Sequence, residues 1–76
     1  MHIHRISVDP AKMRGLPCIR QLRIPVATVL GQLAADRTHR EILDDFPDLE
    51  DEDITAALEY AAGAVQDREL PLAHPA

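Results

Sequence analysis

Residues 25–62, PVATVLGQLAADRTHREILDDFPDLEDEDITAALEYAA, decide the fold. Pro25 suits the first position of a helix, where its missing N–H costs nothing. Behind it Val26, Val29, Leu30, Leu33 and Ala34 recur at i, i+3, i+4, i+7 and i+8, a stripe that predicts a helix to about Ala35. Asp36-Arg37 is the break. Thr38-His39-Arg40-Glu41 reads as a capping box, opening a short second helix with Ile42, Leu43 and Phe46 inward, which Pro47 ends. Asp44 and Asp45 near its carboxyl end oppose the helix dipole, so this helix depends on tertiary packing. The third helix is the longest. Leu49 and Ile54 are spaced as a hydrophobic staple around a cap at Glu50, and Asp51, Glu52 and Asp53 suit the first turn. Ile54, Leu58, Ala61 and Val65 form its expected apolar stripe, with Ala57 and Ala62 beside it, and Gly63 weakens the far end.

Before this segment, residues His2 to Val8 place Ile3, Arg5 and Ser7 on one side and His4, Ile6 and Val8 on the other and include three β-branched residues, which predicts a strand ended by Asp9-Pro10. Its Ile3 to Val8 edge is short and unstable unpaired, so it offers a dimer contact. Ala11 to Gln21 holds Gly15 and Pro17 and reads as a loop with at most a second short strand near Cys18-Ile19. After the helices, Pro71 and Pro75 predict an extended tail in which Leu70 and Leu72 have no core of their own. The expected fold class is mainly α, with a short amino-terminal β strand or hairpin followed by a three-helix, helix-turn-helix (homeodomain-like) bundle. Residues 1–76 are expected to form one domain: 1–24 strand and basic loop, 25–67 the three-helix segment, 68–76 the tail.

At 76 residues the chain supports one small core, so a complete enzyme pocket is not expected unless two chains build it together. Hydrophobic residues at 46% exceed what a disordered tail carries. The only rings of the Phe, Tyr and Trp type are Phe46 and Tyr60, too few for a stacking platform for single-stranded nucleic acid. The single cysteine, Cys18, excludes a disulfide scaffold and a cysteine-based zinc site. No apolar run approaches the roughly 18–20 residues of a membrane span, and MHIHRISV is not a signal peptide, so a cytoplasmic protein with no membrane contact is expected.

The net charge of −5 hides an asymmetry. Residues 1–24 carry Arg5, Lys12, Arg14, Arg20 and Arg23 against Asp9, a local +4, while residues 25–76 carry three arginines against twelve carboxylates, a local −9. The basic end suits phosphates or an acidic protein surface, and the acidic end suits a basic protein. No constellation for catalysis accompanies this split. His2 and His4 share a strand face but are too few to hold a metal, Cys18 has no histidine placed as its base, and the Asp48–Asp53 run lacks the alternating ligands and central glycine of a calcium loop. The expectation is therefore no enzyme, no metal and no cofactor.

The three-helix layout admits DNA binding in two registers. If the last helix is the reader, its first turn brings Glu50, Asp51, Glu52 and Asp53 toward phosphates, which opposes binding by several kcal/mol on a low-salt estimate. If the second helix is the reader, Arg37, Thr38, His39 and Arg40 lead, which is electrostatically acceptable.

The segment PCIRQLRIPVATVLGQLAADRTHREILDDFPDLEDEDITAALEYAA resembles the small prokaryotic family known as domain of unknown function 433. Gly15, Pro17, Ile19, Arg23, Ile24, Pro25 and Val26 stand at positions of its Gly-x-Pro-x-Ile-x-Gly-Thr-Arg-Ile-Pro-Val stretch. Glu41, Ile42, Leu43, Pro47, Leu49, Asp53, Ile54, Ala57, Leu58, Tyr60 and Ala61 continue the pattern, and the resemblance covers about residues 3 to 62. Three positions depart: the family's Gly-Thr is Gln21-Leu22, the glycine between its first two helices is Asp36, and the usual threonine cap of the last helix is Glu50. The first departure bears on a tight turn that glycine allows.

The resemblance implies a helix-turn-helix-like fold with a small β element, commonly a homodimer, in proteins regarded as antitoxin-like and encoded beside a small PIN-like nuclease toxin. The leading expectation is accordingly an antitoxin-like binding protein with a PIN-like toxin partner, and with operator DNA as a second ligand. Arg5, Arg14, Arg20 and Arg23 are the candidate phosphate contacts, and Tyr60, Val65, Leu70 and Leu72 the candidate partner or dimer contacts. The alternatives are a stand-alone helix-turn-helix DNA-binding regulator and a structural dimerisation module.

Overall fold

Ile19 is the residue around which the amino-terminal third folds. It pairs with Ile6 on one side and Ile24 on the other, in a three-stranded antiparallel sheet of β1 (Ile6–Ser7), β2 (Cys18–Ile19) and β3 (Ile24–Pro25) with β2 in the centre. Both residues of β2 are buried, as a central strand with two covered faces requires. Pro25 lies on the edge strand, where it removes no needed ladder bond, and the following Val26 N–H donates to the Pro17 carbonyl at 2.9 Å. The computed structural model describes residues 2–67.

Three helices follow: α1 (Val26–Ala34), α2 (His39–Asp45) and α3 (Asp51–Asp67). The mainly α class with a small amino-terminal β element is what the sequence predicts. Pro25 caps α1 rather than occupying its first turn. At the far end of α1 the Asp36 N–H donates to Leu33 O at 3.0 Å and the Arg37 N–H to Gln32 O at 3.2 Å. That paired pattern is a Schellman closure, and it puts Asp36 at φ 63°, in the left-handed region that favours glycine. The predicted capping box on α2 is complete: the Glu41 N–H donates to Thr38 Oγ1 at 3.1 Å and the Thr38 N–H to Glu41 Oε1 at 2.8 Å. The Thr38 backbone N–H, then its hydroxyl, hold the Glu41 carboxyl below its ordinary pKa.

The core joins all the elements. Ile19, Val26, Val29, Ile42, Leu49, Ile54 and Ala57 form one buried cluster, with Ile6, Leu30, Phe46 and Tyr60 packed against it.

The structure corrects the sequence reading in three places. Residues His2 to Val8 are not a continuous strand: Ile3–Arg5 is a turn of 3₁₀-helix and only Ile6–Ser7 is extended. The reason is tertiary, because the His2 backbone N–H donates to Glu59 Oε1 of α3 at 2.6 Å and Arg5 turns toward the start of the same helix. A third strand, Ile24–Pro25, exists where periodicity gave only the approach to α1. Finally, the inward face of α3 is not the Ile54–Leu58–Ala61–Val65 stripe. Asp53, Ile54, Ala56 and Ala57 are buried, whereas Leu58 is 45% exposed and Val65 59% exposed.

Candidate interaction surfaces

The rotation of α3 is set by Asp53, whose side chain is fully buried. It occupies the third position of the helix and reaches back to accept the Glu50 N–H at 2.8 Å, half of a capping box. Arg20 forks onto the same carboxylate, Nε to Oδ1 at 3.1 Å and Nη2 to Oδ2 at 2.7 Å. Arg5 Nη1 completes the set at 3.0 Å on Oδ1 and also reaches Glu50 Oε1 at 2.6 Å. Four donors thus fill the four lone-pair sites of a buried carboxylate. Burial pushes the Asp53 carboxyl up, but Arg20, the Glu50 N–H and Arg5 together outweigh it and hold the carboxyl below its ordinary pKa. In return, both guanidiniums are raised further above their already high value, Arg5 by Glu50 and then Asp53, Arg20 by Asp53.

This arrangement sorts the four candidate phosphate-binding arginines. Arg5 and Arg20 are tied to the acidic start of α3, and Arg20 Nη2 also donates to the Asp48 carbonyl at 2.9 Å. Arg14 and Arg23 are exposed and make no side-chain hydrogen bond or ion pair among the described residues. The basic first third and the acidic remainder, far apart in the chain, therefore neutralise each other in part across α3.

The helix-turn-helix registers can be compared on the same footing. At the start of α2, Arg37 is paired with Asp45, Thr38 is spent on the cap, and His39 Nδ1 lies 3.0 Å from Asp51 Oδ1. Arg40 is left exposed. At the start of α3, Asp51 and Glu52 face solvent while Asp53 is internal. Neither helix presents an uncompensated basic first turn.

The candidate partner contacts Tyr60 and Val65 do converge. They line a groove of about 300 Å³ between α1 and α3, with Leu16, Pro17, Pro25, Val26, Ala27, Leu30, Ala61 and Ala64. Its walls are hydrocarbon apart from the tyrosine. The other two candidates, Leu70 and Leu72, lie outside the described residues. Helical spacing points to Val65 and the family resemblance to Tyr60, but neither to the Leu16–Pro17 wall, which comes from another part of the chain. Asp53 was also missed as an organising residue. The available signal was its place four residues before Ala57 and seven before Tyr60, a carboxylate on an otherwise apolar face.

Cys18 is buried, with its thiol donating to Leu16 O at 3.4 Å. Among the described residues no three His, Cys, Asp or Glu side chains are grouped to hold a metal ion, and no helix is long and apolar enough to cross a membrane.

The chain is a small antiparallel sheet capped by three helices, carrying an apolar groove and an internal ion network. The chain belongs to the family described as Protein of unknown function (DUF433), whose pattern matches residues 6–61. No curated protein and no solved structure matches the chain.

Proposed function

We propose that the protein is an antitoxin-like binding module that neutralises a PIN-like nuclease partner, associates as a homodimer, and takes operator DNA as a second ligand. The observation that carries this reading is the α1–α3 groove. Leu16 at 49% and Val65 at 59% exposure leave it open to solvent, and a soluble chain this small gains by covering such a surface. Burial of apolar area there supplies affinity at roughly 25 cal/mol per Å². The exposed carboxylates of Asp51 and Glu52 at the other end of α3 add attraction to a basic, RNA-binding partner surface.

The test is co-expression with the product of the neighbouring gene and a pull-down on the tagged chain. A stoichiometric complex is expected, and Val65→Asp, on an exposed helix position, is expected to abolish it while the circular dichroism spectrum is kept. No complex with the native chain refutes the reading. A mobility shift of DNA by the chain alone, lost steeply with salt, favours the stand-alone regulator instead.

A further inference from the structure

A second concavity lies on the face formed by the loop from Ser7 to Leu16 and the β2–β3 hairpin turn. It measures about 270 Å³, and its walls include Lys12, Arg20 and Arg23 against one carboxylate, Asp9. A local excess of two positive charges on a chain of net charge −5 is the reverse of what its composition suggests. Asp9 is already engaged, since its Oδ1 accepts the Ala11 N–H at 2.9 Å. Arg20 contributes field rather than contact, because its fork is held by Asp53. Lys12 and Arg23, by contrast, are exposed and make no side-chain hydrogen bond or ion pair among the described residues.

The backbone around this cleft is strained on both rims. Met13 (φ 52°), Arg14 (φ 56°), Arg20 (φ 45°) and Arg23 (φ 60°) all sit in the left-handed region without being glycine. Each such residue pays a Cβ penalty, and strain of this kind gathers at ligand clamps. Two of the four cap the ends of the hairpin turn. Gln21, between Arg20 and Arg23, is not among the left-handed residues and also lines the cleft.

We propose that this cleft binds a small phosphoryl-bearing ligand, with Arg23 as the forked donor, Lys12 as the point charge and the Gln21 amide as a third donor. The exposed side chains of Val8 and Met13 on the same wall receive the non-ionic part of the ligand. The size agrees with a compact ligand, falling just under the roughly 300–1,000 Å³ of small-molecule pockets. A nucleic acid strand fits less well, because beyond Arg20 a polyanion meets Asp48, Glu50 and the acidic start of α3. The proposal stands without the antitoxin reading, since it uses a different face and no protein partner.

The experiment titrates the full chain with inorganic phosphate, pyrophosphate and adenosine monophosphate, following amide shifts and the rate at which a thiol reagent modifies Cys18. That cysteine is the only one in the chain and lines the cleft. Saturable shifts confined to residues 8–23, with Cys18 modification slowed at least threefold, are expected. Lys12→Gln and Arg23→Gln are each expected to weaken binding about tenfold, and the remote Arg40→Gln to leave it unchanged. No saturable shift with any of the three probes overturns the proposal, as does equal weakening by Arg40→Gln. Binding of a duplex oligonucleotide more tightly than any of the three, through the same Lys12 and Arg23, overturns it in favour of a nucleic-acid backbone.

Discussion

Replacing Asp53 by asparagine keeps the shape of the buried side chain and removes its charge. In the native protein both oxygens are used twice: Oδ1 by Arg5 and Arg20 Nε, Oδ2 by Arg20 Nη2 and the Glu50 N–H. An amide can satisfy only one of these pairs, and its NH₂ then faces two donors. Loss of two bonds to a charged acceptor, at about 1.5 kcal/mol each, gives about 3 kcal/mol. The stranded guanidiniums are 22% and 35% exposed at their side chains and regain some water, so the cost falls at the lower end of the 3–5 kcal/mol typical of a broken buried pair. Against a total of roughly 4–11 kcal/mol for a chain of this size, that is a large fraction. Thermal unfolding should fall by about 12–24 °C.

The pH dependence checks the cause. The Asp53 carboxyl is held below its ordinary value when folded, so its contribution is present above the unfolded pKa of about 3.9 and is lost as pH falls through the folded value. The gap between native and Asp53→Asn proteins, measured by urea unfolding, should therefore be constant from pH 5 to 7 and shrink below about pH 4. A variant within about 0.5 kcal/mol of the native protein at pH 7, or a gap that widens in acid, would show that the network does not hold α3.

Two further outcomes concern the helix ends. Thr38→Ala removes the hydroxyl that accepts the Glu41 N–H and should cost about 1 kcal/mol, read from the urea midpoint at unchanged slope. Asp36→Gly should stabilise the protein by about 0.5–1 kcal/mol, because the left-handed closure of α1 then carries no Cβ penalty, and a lower melting temperature would refute the Schellman assignment.

The helices were legible because their causes are local. The Thr38–Glu41 box, the Leu49–Ile54 staple and the Val26–Val29–Leu33 spacing each lie within a few residues, and each is found where periodicity puts it. Alternation overextends the amino-terminal strand because it cannot register a bond from His2 to Glu59, 57 positions away. For the same reason helical spacing misplaces the inward face of α3. A carboxylate reads as solvent-facing unless its partners are known, and those of Asp53 lie 48 and 33 residues upstream, at Arg5 and Arg20. Of the candidate contacts, Val65 follows from helical spacing and Tyr60 from the family resemblance, whereas the Lys12–Arg23 cleft needs the hairpin to be folded.

The sequence by itself determined the three helices, the Thr38–Glu41 capping box of the second, the mainly α class and the division of charge into a basic third and an acidic remainder. Only the tertiary structure decided what that division does. Two of the five basic side chains in the first third are drawn onto α3, because a carboxylate leaves water only when cations and N–H donors replace every bond it had there. Of the cations left over, Lys12 and Arg23 line the cleft at the hairpin, and of the exposed apolar residues Leu16 and Val65 line the groove between α1 and α3.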